Sequence, residues 1–483
     1  MNLSVRGIPP DGPRIDDSRH RDCASRHPVD GALAFPNGIR VSTDASALQA
    51  PATAAMVERR PVFRGAWLLS GSMLLSGLLI YVFHVLAARA LGPAAYGQIA
   101  VLWAAMFLAV IVLFRPIEQT LSRALADRLA RGEEVATVLR SVTLLAAAIV
   151  ALLGAGVIVG WNAIGERLFL GDSAMTALLV AGIAGYGLAY VVRGVLAGVR
   201  WFNGYGASLV VDAFARLAIA APLLVVASKL TAATAVVAAG AVGALIPLWA
   251  GRVRVAEALH GSGGTQFQLG SALAFAAPAS LIAISDQLLV NGGSLLVMIE
   301  GGADASRTAG IVFAATMLVR VPVYVFQGFA ASLLPNLTHL NVVADAQRFR
   351  RAVTQATGIL LLVGAAIVGI AAILGSESMR LLYGSEFEAG RSELVLLGAG
   401  VGFYLAASTL SQALLALDAG GRAAACWAIA AVLFVGLYAA VPGGALIRIA
   451  VAFAVATLVN LVALGTVTLW RPPTEVTGHH QDR

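Results

Sequence analysis

The sequence predicts an all-α, polytopic membrane protein, and two observations carry this prediction. Of the 483 residues, 59% are hydrophobic and only 12% are charged, and the mean hydropathy is +0.84. A water-soluble domain usually has about 25% charged residues. Apolar runs of about 20 residues, the length that an α-helix needs to cross a bilayer, also recur along the chain. These features exclude a soluble globular enzyme, a coiled coil and a disordered protein.

Residues 1–60 form a polar segment before the first apolar run. They are rich in Pro, Asp, Arg, Ser and Gly and have no sustained apolar period, so we expect a disordered tail. The segment lacks the apolar region of a signal peptide. Met56 lies immediately before the first apolar run. Two alternatives follow: a translated cytoplasmic extension, or a start of translation near Met56.

About twelve apolar runs follow, each long enough for one transmembrane helix. A polar linker at 251–268 separates them into two groups of six, and a polar tail at 471–483 ends the chain. We therefore predict an N-terminal six-helix lobe at 61–250 and a C-terminal six-helix lobe at 269–470. The predicted spans are 66–90, 97–116, 139–161, 174–197, 204–228, 231–250, 269–297, 309–334, 354–375, 392–416, 423–441 and 444–469.

Basic residues are distributed unequally between the two sides of the predicted bundle. If the N-terminus is cytoplasmic, the inner loops hold fifteen Lys and Arg residues and the outer loops hold five. Cytoplasmic loops are enriched in these residues, so the bias predicts that both termini face the cytoplasm. It also accounts for the net charge of +7, since the chain has no dense basic tract with interleaved aromatic residues that would bind nucleic acid.

Several kinds of site have no support in the sequence. Lys229, the only lysine, is not part of a GxxxxGK[ST] loop, so we expect no ATP binding through that motif. The two cysteines, Cys23 and Cys426, make neither a disulfide framework nor a metal cluster. We expect no cofactor, metal or catalytic residue, and the predicted loops are too short for an extramembrane catalytic domain.

Short motifs recur at an offset of 213 residues. The offset relates residues 168–172 (LFLGD) to 381–385 (LLYGS), and it also relates Gly97 to Gly310. Each half has an even number of predicted spans, so the two copies would share one orientation and be related by an axis along the membrane normal. The alternative is coincidence among helices rich in Gly, Ala and Leu.

Ionisable side chains within the predicted spans are expected to face a cavity, because each costs about 2.5–3.5 kcal/mol to insert into the membrane. Arginine stays charged there and presents a planar fork that fits phosphate. We therefore predict a cationic cavity for an amphiphile with an anionic head. The predicted substrate-binding residues are Arg115, Arg193, Arg216 and Arg320, and the predicted polar lining is Glu118, Gln119, Asp212, Asp286, Gln287, Asn291, Tyr324 and Gln327.

Two of these arginines have a structural alternative. Arg193 lies near the cytoplasmic end of its span and could extend toward the lipid headgroups. Asp212 and Arg216 lie four residues apart on one helix face and could pair with each other. Arg320 lies nearest to the middle of the membrane and is the strongest candidate.

Four segments resemble the polysaccharide export flippases of the multidrug/oligosaccharidyl-lipid/polysaccharide (MOP) superfamily. Residues 86–97 (LAARALGPAAYG) resemble the junction of the family's first two helices, and residues 193–206 (RGVLAGVRWFNGYG) its fourth-to-fifth helix turn. Residues 286–289 (DQLL) resemble an Asp-Arg-Leu-Leu-like segment, with Gln287 in place of the usual basic residue. Residues 381–387 match the segment before the tenth helix. The resemblance covers about 64–470.

This resemblance implies two lobes in a V shape that alternate in access to a central cavity. The implied cargo is a polyprenyl-diphosphate-linked oligosaccharide, such as an O-antigen or exopolysaccharide repeat unit, in a bacterial cytoplasmic membrane. The implied partners are the bilayer and the polysaccharide polymerase and glycosyltransferases of the same pathway. The sugar and the driving ion stay open.

Two other functions stay open. The first is a multidrug and toxic compound extrusion (MATE) antiporter of the same architecture, for which we would expect an acidic, cation-coordinating cavity. The second is a membrane-embedded glycan polymerase or ligase, which would need a large extracytoplasmic loop with catalytic Arg or His residues.

Overall fold

The computed structural model describes residues 52–259, 269–323 and 346–469, together with Leu337 and Leu340. The predicted all-α, polytopic fold is confirmed, because these residues form long helices and include no strand. The helices are α1 (Ala52–Ala130), α2 (Ala136–Val159), α3 (Trp161–Phe169), α4 (Ser173–Gly198), α5 (Phe202–Ala220), α6 (Lys229–Ala250), α7 (Arg252–Ala258), α8 (Leu269–Glu300), α9 (Ala305–Val319), α10 (Ala346–Tyr383), α11 (Arg391–Ala416), α12 (Gly420–Ala440) and α13 (Ala445–Leu469).

Ten helices in the described part of the chain are long and apolar enough to cross a membrane, and α9 is a shorter apolar helix. Helix α1 counts once in this total. Gly92, with φ 71° and ψ 171°, divides it into two arms. Glycine adopts such a backbone without steric cost, and Pro93 is suited to the first turn of the second arm. Counting both arms and α9 gives the predicted twelve spans.

Several helices extend beyond their predicted ends. Helix α1 begins at Ala52, inside the predicted tail, and its second arm continues to Ala130 instead of ending at 116. Helix α7 occupies part of the predicted linker, and α10 covers 346–383 where the sequence predicted 354–375. The added turns are rich in polar residues, which a hydropathy pattern assigns to loops. Most of the predicted N-terminal tail, the rest of the linker, the end of the eighth predicted span and the C-terminal tail lie outside the described residues.

The backbone repeats at the predicted offset. Gly171 and Gly384, which are 213 residues apart, both have positive φ angles, of 81° and 109°. Each precedes the fourth long helix of its half, α4 in the first and α11 in the second. The order of helices in the first half therefore recurs in the second, with α2 and α3 together corresponding to α10.

The two halves meet at the end of the bundle near Gly92, which we call the outer end because the arginine bias predicts that it is extracytoplasmic. A Cβ atom at Gly97 would lie 1.8 Å from the Ser306 carbonyl oxygen, and one at Gly310 would lie 2.2 Å from the Pro93 carbonyl oxygen. The offset of 213 relates Ser306 to Pro93 and Gly310 to Gly97. These glycines therefore form a locally two-fold contact, which we call the outer contact.

Polar groups reinforce the outer contact. Ser306 Oγ donates a hydrogen bond of 2.6 Å to the Ala94 carbonyl oxygen. Arg89 Nε donates one of 2.8 Å to the carbonyl oxygen of Leu382 in the second half. The two halves are thus closed against each other at this end in the present conformation.

Gly97→Ala is expected to shift the protein away from this closed conformation. The added Cβ meets backbone atoms, which cannot rotate away, and overpacking of this kind costs about 1–3 kcal/mol or more. Labelling of Ser306→Cys by a membrane-impermeant maleimide should therefore rise on the order of tenfold in Gly97→Ala. Gly369→Ala is the matched control, because nothing lies within 4 Å of its added Cβ. Equal labelling in the two variants would contradict the closed outer contact.

Lys229 joins three elements of the first half at the outer end. Its ammonium donates to Gln98 Oε1 at 2.6 Å and to the Asp172 carboxylate, which caps α4. The Lys229 hydrogen bond, together with the backbone amides of Met175 and Ala174, holds the pKa of Asp172 below its usual value. The only lysine of the chain thus has a structural role.

Candidate functional site

A buried cluster joins α4 to α5 in the first half. Asp212 lies at its centre: Oδ2 accepts a hydrogen bond of 2.9 Å from Arg193, and Oδ1 accepts one of 2.7 Å from Arg216. Arg193 Nε also donates to Ser208 at 3.1 Å, and the Tyr186 hydroxyl accepts from Arg216 and donates to Asp212. The predicted Asp212–Arg216 pair therefore forms. Arg193 joins it and does not extend toward the headgroups.

Within the hydrogen-bonded cluster, one carboxylate serves two guanidinium groups. Only 1% of Arg216 is exposed. Its Nε and Nη1 atoms have no hydrogen-bond partner among the described residues, and its guanidinium lies 5.0 Å from the ring centre of Trp103. Charges inside a membrane protein are usually paired or functional because removing them from water is costly. Glu118 is a further carboxylate that interacts electrostatically with Arg193.

Polar residues on the second arm of α1 bring charge to the boundary between the halves. Arg115 and Gln119 are exposed, whereas Glu118 is buried and accepts a hydrogen bond of 2.7 Å from the Tyr205 hydroxyl. Arg115 interacts electrostatically with Glu118 of the first half and with Asp286 of the second. The face predicted at 115–119 therefore contributes an exposed arginine side chain that interacts with a carboxylate of each half.

Asp286, the predicted acidic site residue of the second half, accepts hydrogen bonds from neutral donors. The Tyr404 hydroxyl and Gln287 Nε2 both donate to the Asp286 carboxylate, the latter at 2.8 Å. Gln287 Oε1 accepts from Asn291 Nδ2 at 2.7 Å. Gln287 therefore links Asp286 to Asn291, at the position where the resembled family carries a basic residue.

Arg320 lies at the C-terminal end of α9, beside this chain of polar groups. Its Nη1 atom donates to the Val290 carbonyl oxygen at 3.2 Å and to Asn291 Oδ1 at 3.4 Å. Its Nε atom is buried and has no hydrogen-bond partner among the described residues, while the side chain as a whole is half-buried. Asp286 and Tyr404 lie within its electrostatic range. Among the described residues, Arg320 donates to two neutral oxygens and not to a carboxylate.

The structure therefore divides the predicted site residues into three sets. The first set is the buried cluster of Arg193, Asp212 and Arg216. The second set belongs to the boundary between the two halves and contains Arg115, Glu118, Gln119, Asp286, Gln287, Asn291 and Arg320. Tyr324 and Gln327 lie outside the described residues. As in the prediction, four arginines are accompanied by three carboxylates, those of Glu118, Asp212 and Asp286.

Sequence reasoning missed the hydroxyl groups that hold these carboxylates. Tyr205 is 87 residues from Glu118, and Tyr404 is 118 residues from Asp286. Ser208, whose hydroxyl accepts from Arg193, lies one turn before Asp212, so its place on the same helix face was a local signal. The long-range pairs depend on which helices pack together, so the spacing of residues along the chain could not reveal them.

No protein-family model matches the chain. It is 28% identical over 355 residues to the uncharacterized protein Rv1510 of Mycobacterium tuberculosis, which covers 72% of this chain and 76% of that protein. It is 29% identical over 252 residues to the uncharacterized protein Rv3630 of the same organism, which covers 52% of this chain and 54% of that protein.

Solved structures of MATE transporters have a similar fold. An inward-facing multidrug resistance MATE family transporter of the MOP superfamily superimposes with a TM-score of 0.62 at 17% identity, covering 84% of this chain and 93% of that chain. The outward-facing conformation of such a transporter gives 0.58 at 16% identity, covering 84% and 94%. The eukaryotic MATE transporter AtDTX14 gives 0.58 at 16% identity, covering 85% and 96%. The chain therefore has the fold of these MATE transporters, as the sequence analysis predicted.

Proposed function

We propose that this chain is an alternating-access transporter that carries a polyprenyl-diphosphate-linked oligosaccharide across the bacterial cytoplasmic membrane, with both termini in the cytoplasm. The single observation that carries the proposal is Arg320, whose half-buried guanidinium bonds only neutral oxygens among the described residues. Charged side chains inside a membrane bundle usually pair with other groups or mark a substrate pathway, and the hydrogen bonds of Arg320 to neutral groups favour the second role.

The chemistry of the available groups fits a diphosphate better than a simple carboxylate. A guanidinium donates two parallel hydrogen bonds to phosphate oxygens and keeps its charge in a site of low dielectric constant. Arg115 is exposed and, like Arg320, interacts electrostatically with Asp286, so it supplies a second guanidinium to this region.

The outer contact suggests how such a cargo would move. With Gly97 and Gly310 in contact, the halves are closed at the outer end, and this is the arrangement in which a cargo would enter from the cytoplasm. Separation at the outer contact would then release the head group outside. Glycosyltransferases would supply the cargo, and a polysaccharide polymerase would consume it.

A second candidate is a MATE-type exporter of cationic drugs, and two observations favour it. Solved structures of similar fold are described as multidrug resistance transporters. Glu118 and Asp286 also place two carboxylates near the boundary between the halves, where they could bind a cation. The two candidates differ in which sign of charge the site must bind.

Deletion of the gene in its own host distinguishes the two functions. We expect loss of a surface glycan and accumulation of its lipid-linked precursor, with unchanged sensitivity to cationic drugs, and recovery on expression of the parent chain. Raised sensitivity to several cationic drugs with a normal surface glycan would favour the second candidate and contradict the first.

A further inference from the structure

His84, on the first arm of α1, is a fully buried titratable residue that the proposed transport site does not use. It is 0% exposed, and its ring is surrounded by aromatic rings. The ring of Trp103 has its centre at 4.6 Å and that of Phe83 at 5.1 Å. The Tyr96 hydroxyl lies 3.2 Å from Nδ1, whereas Nε2 has no hydrogen-bond partner among the described residues.

This aromatic cage contains both halves of the protein. Phe313 of α9, in the second half, has its ring centre 5.1 Å from that of His84. Tyr96 lies beside Gly97 of the outer contact, and its ring also packs on Phe387, which follows α10. The His84 cage therefore forms part of the surface that closes the outer end.

Two arginines lie near the cage, and none of the described residues that form it is a carboxylate. The Arg216 guanidinium lies over the ring of Trp103, 5.0 Å from its centre, and both Arg216 and Arg320 interact electrostatically with His84. Tyr96 is the neutral partner of the imidazole. Toward the outer end, Glu386 faces Gly92, two turns from His84.

We infer that His84 is a proton-binding site whose protonation opens the outer contact. Protonated His84 would have an N–H donor at each ring nitrogen, and the donor at Nε2 would have no acceptor among the described residues. Its positive charge would also lie near two arginines. Burying such a charge without a partner is strongly unfavourable. Separation of Phe313 from His84 would admit water and relieve both penalties, so protons should bind preferentially when the outer end is open.

The physical consequence is a proton-dependent conformational equilibrium. Imidazole is the side chain that ordinarily changes charge between about pH 5 and 8, and a ligand that binds one conformation more tightly shifts the population toward it. This inference rests on the proposed function in one respect, since it makes the proton the ion that drives the proposed transport cycle. The conformational change itself does not depend on the cargo.

Distance measurements between the halves test the inference without any cargo. Spin labels at Glu166→Cys and Glu377→Cys, two exposed positions near the outer end, would be placed in full-length protein carrying Cys23→Ser and Cys426→Ala and reconstituted in lipid. In this parent, the ratio of long to short distances should rise about tenfold between pH 8 and pH 5, a typical strength of coupling between two sites. The rise should have a midpoint within that range.

His84→Gln and His84→Phe should both abolish the pH response. The first keeps a polar side chain, and the second completes the aromatic cage, so at least one should fold if the other does not. Asp172→Asn, which removes another titratable group near the outer end, should leave the response in place. A parent that does not respond, or a response that persists in a folded His84 variant, would overturn the inference. Neither result would bear on the cargo, which the deletion experiment tests separately.

Discussion

Asp212→Asn is expected to destabilise the protein severely. The Asp212 carboxylate is the charged partner of both Arg193 and Arg216, at 2.9 and 2.7 Å, and all three side chains are buried. Removing one partner of a buried pair costs about 3–5 kcal/mol, because the remaining charge stays buried without compensation. Here two guanidiniums would be left. We expect a large fall in membrane abundance and in the midpoint of thermal unfolding in detergent.

Two further variants separate loss of charge from loss of shape. Asp212→Glu keeps the charge and should lose less stability than Asp212→Asn. Adding Arg216→Gln to Asp212→Asn should recover part of the loss, because it removes one uncompensated cation from the same network. An Asp212→Asn protein as stable as the parent would show that the cluster does not need its carboxylate.

Arg320→Gln is expected to abolish most transport while leaving the protein folded. The variant loses a charged donor, and hydrogen bonds to charged groups contribute about 1.5–3 kcal/mol, or on the order of ten- to a hundredfold in rate. Its hydrogen-bond partners, the Val290 carbonyl oxygen and Asn291 Oδ1, are neutral. The Asp286 carboxylate within its electrostatic range keeps its own donors, Tyr404 and Gln287, so we expect the fold to persist. The measurement is surface glycan per membrane-inserted molecule.

Two variants calibrate this result. Arg320→Lys should recover only part of the activity, since an ammonium is a point charge without the planar fork of a guanidinium. Arg380→Gln removes an exposed arginine whose nearest carboxylate, on Glu388, is 4.0 Å away, and it should export like the parent. Export at the parental level by Arg320→Gln would exclude Arg320 from cargo binding.

Much of the fold could be predicted from the sequence because the bilayer imposes simple rules. A helix must be about 20 apolar residues long to cross it, and this length identified the spans. The offset of 213 residues was visible as well, since Gly97, Gly171 and their counterparts must be small or adopt positive φ. The polar terminal turns of α1 and α10 were missed because hydropathy does not distinguish a polar helix from a loop.

The site was predictable only where its contacts are local. The spacing of Asp212 and Arg216 by four residues predicted their pair. The partnership of Arg193 with Asp212 depends on how α4 packs on α5. His84 carried no signal at all, because a single histidine in an apolar run acquires its meaning from Trp103 and Phe313, which fold around it.

The most direct measurement is transport by the purified full-length chain in liposomes. A labelled polyprenyl-diphosphate-linked oligosaccharide would be incorporated in one leaflet, and its appearance in the other would be followed with an impermeant quencher, beside uptake of a lipophilic organic cation. We expect rapid movement of the diphosphate-linked sugar that Arg320→Gln suppresses, and no movement of the cation. Cation transport without movement of the sugar lipid would contradict the account and establish drug export instead.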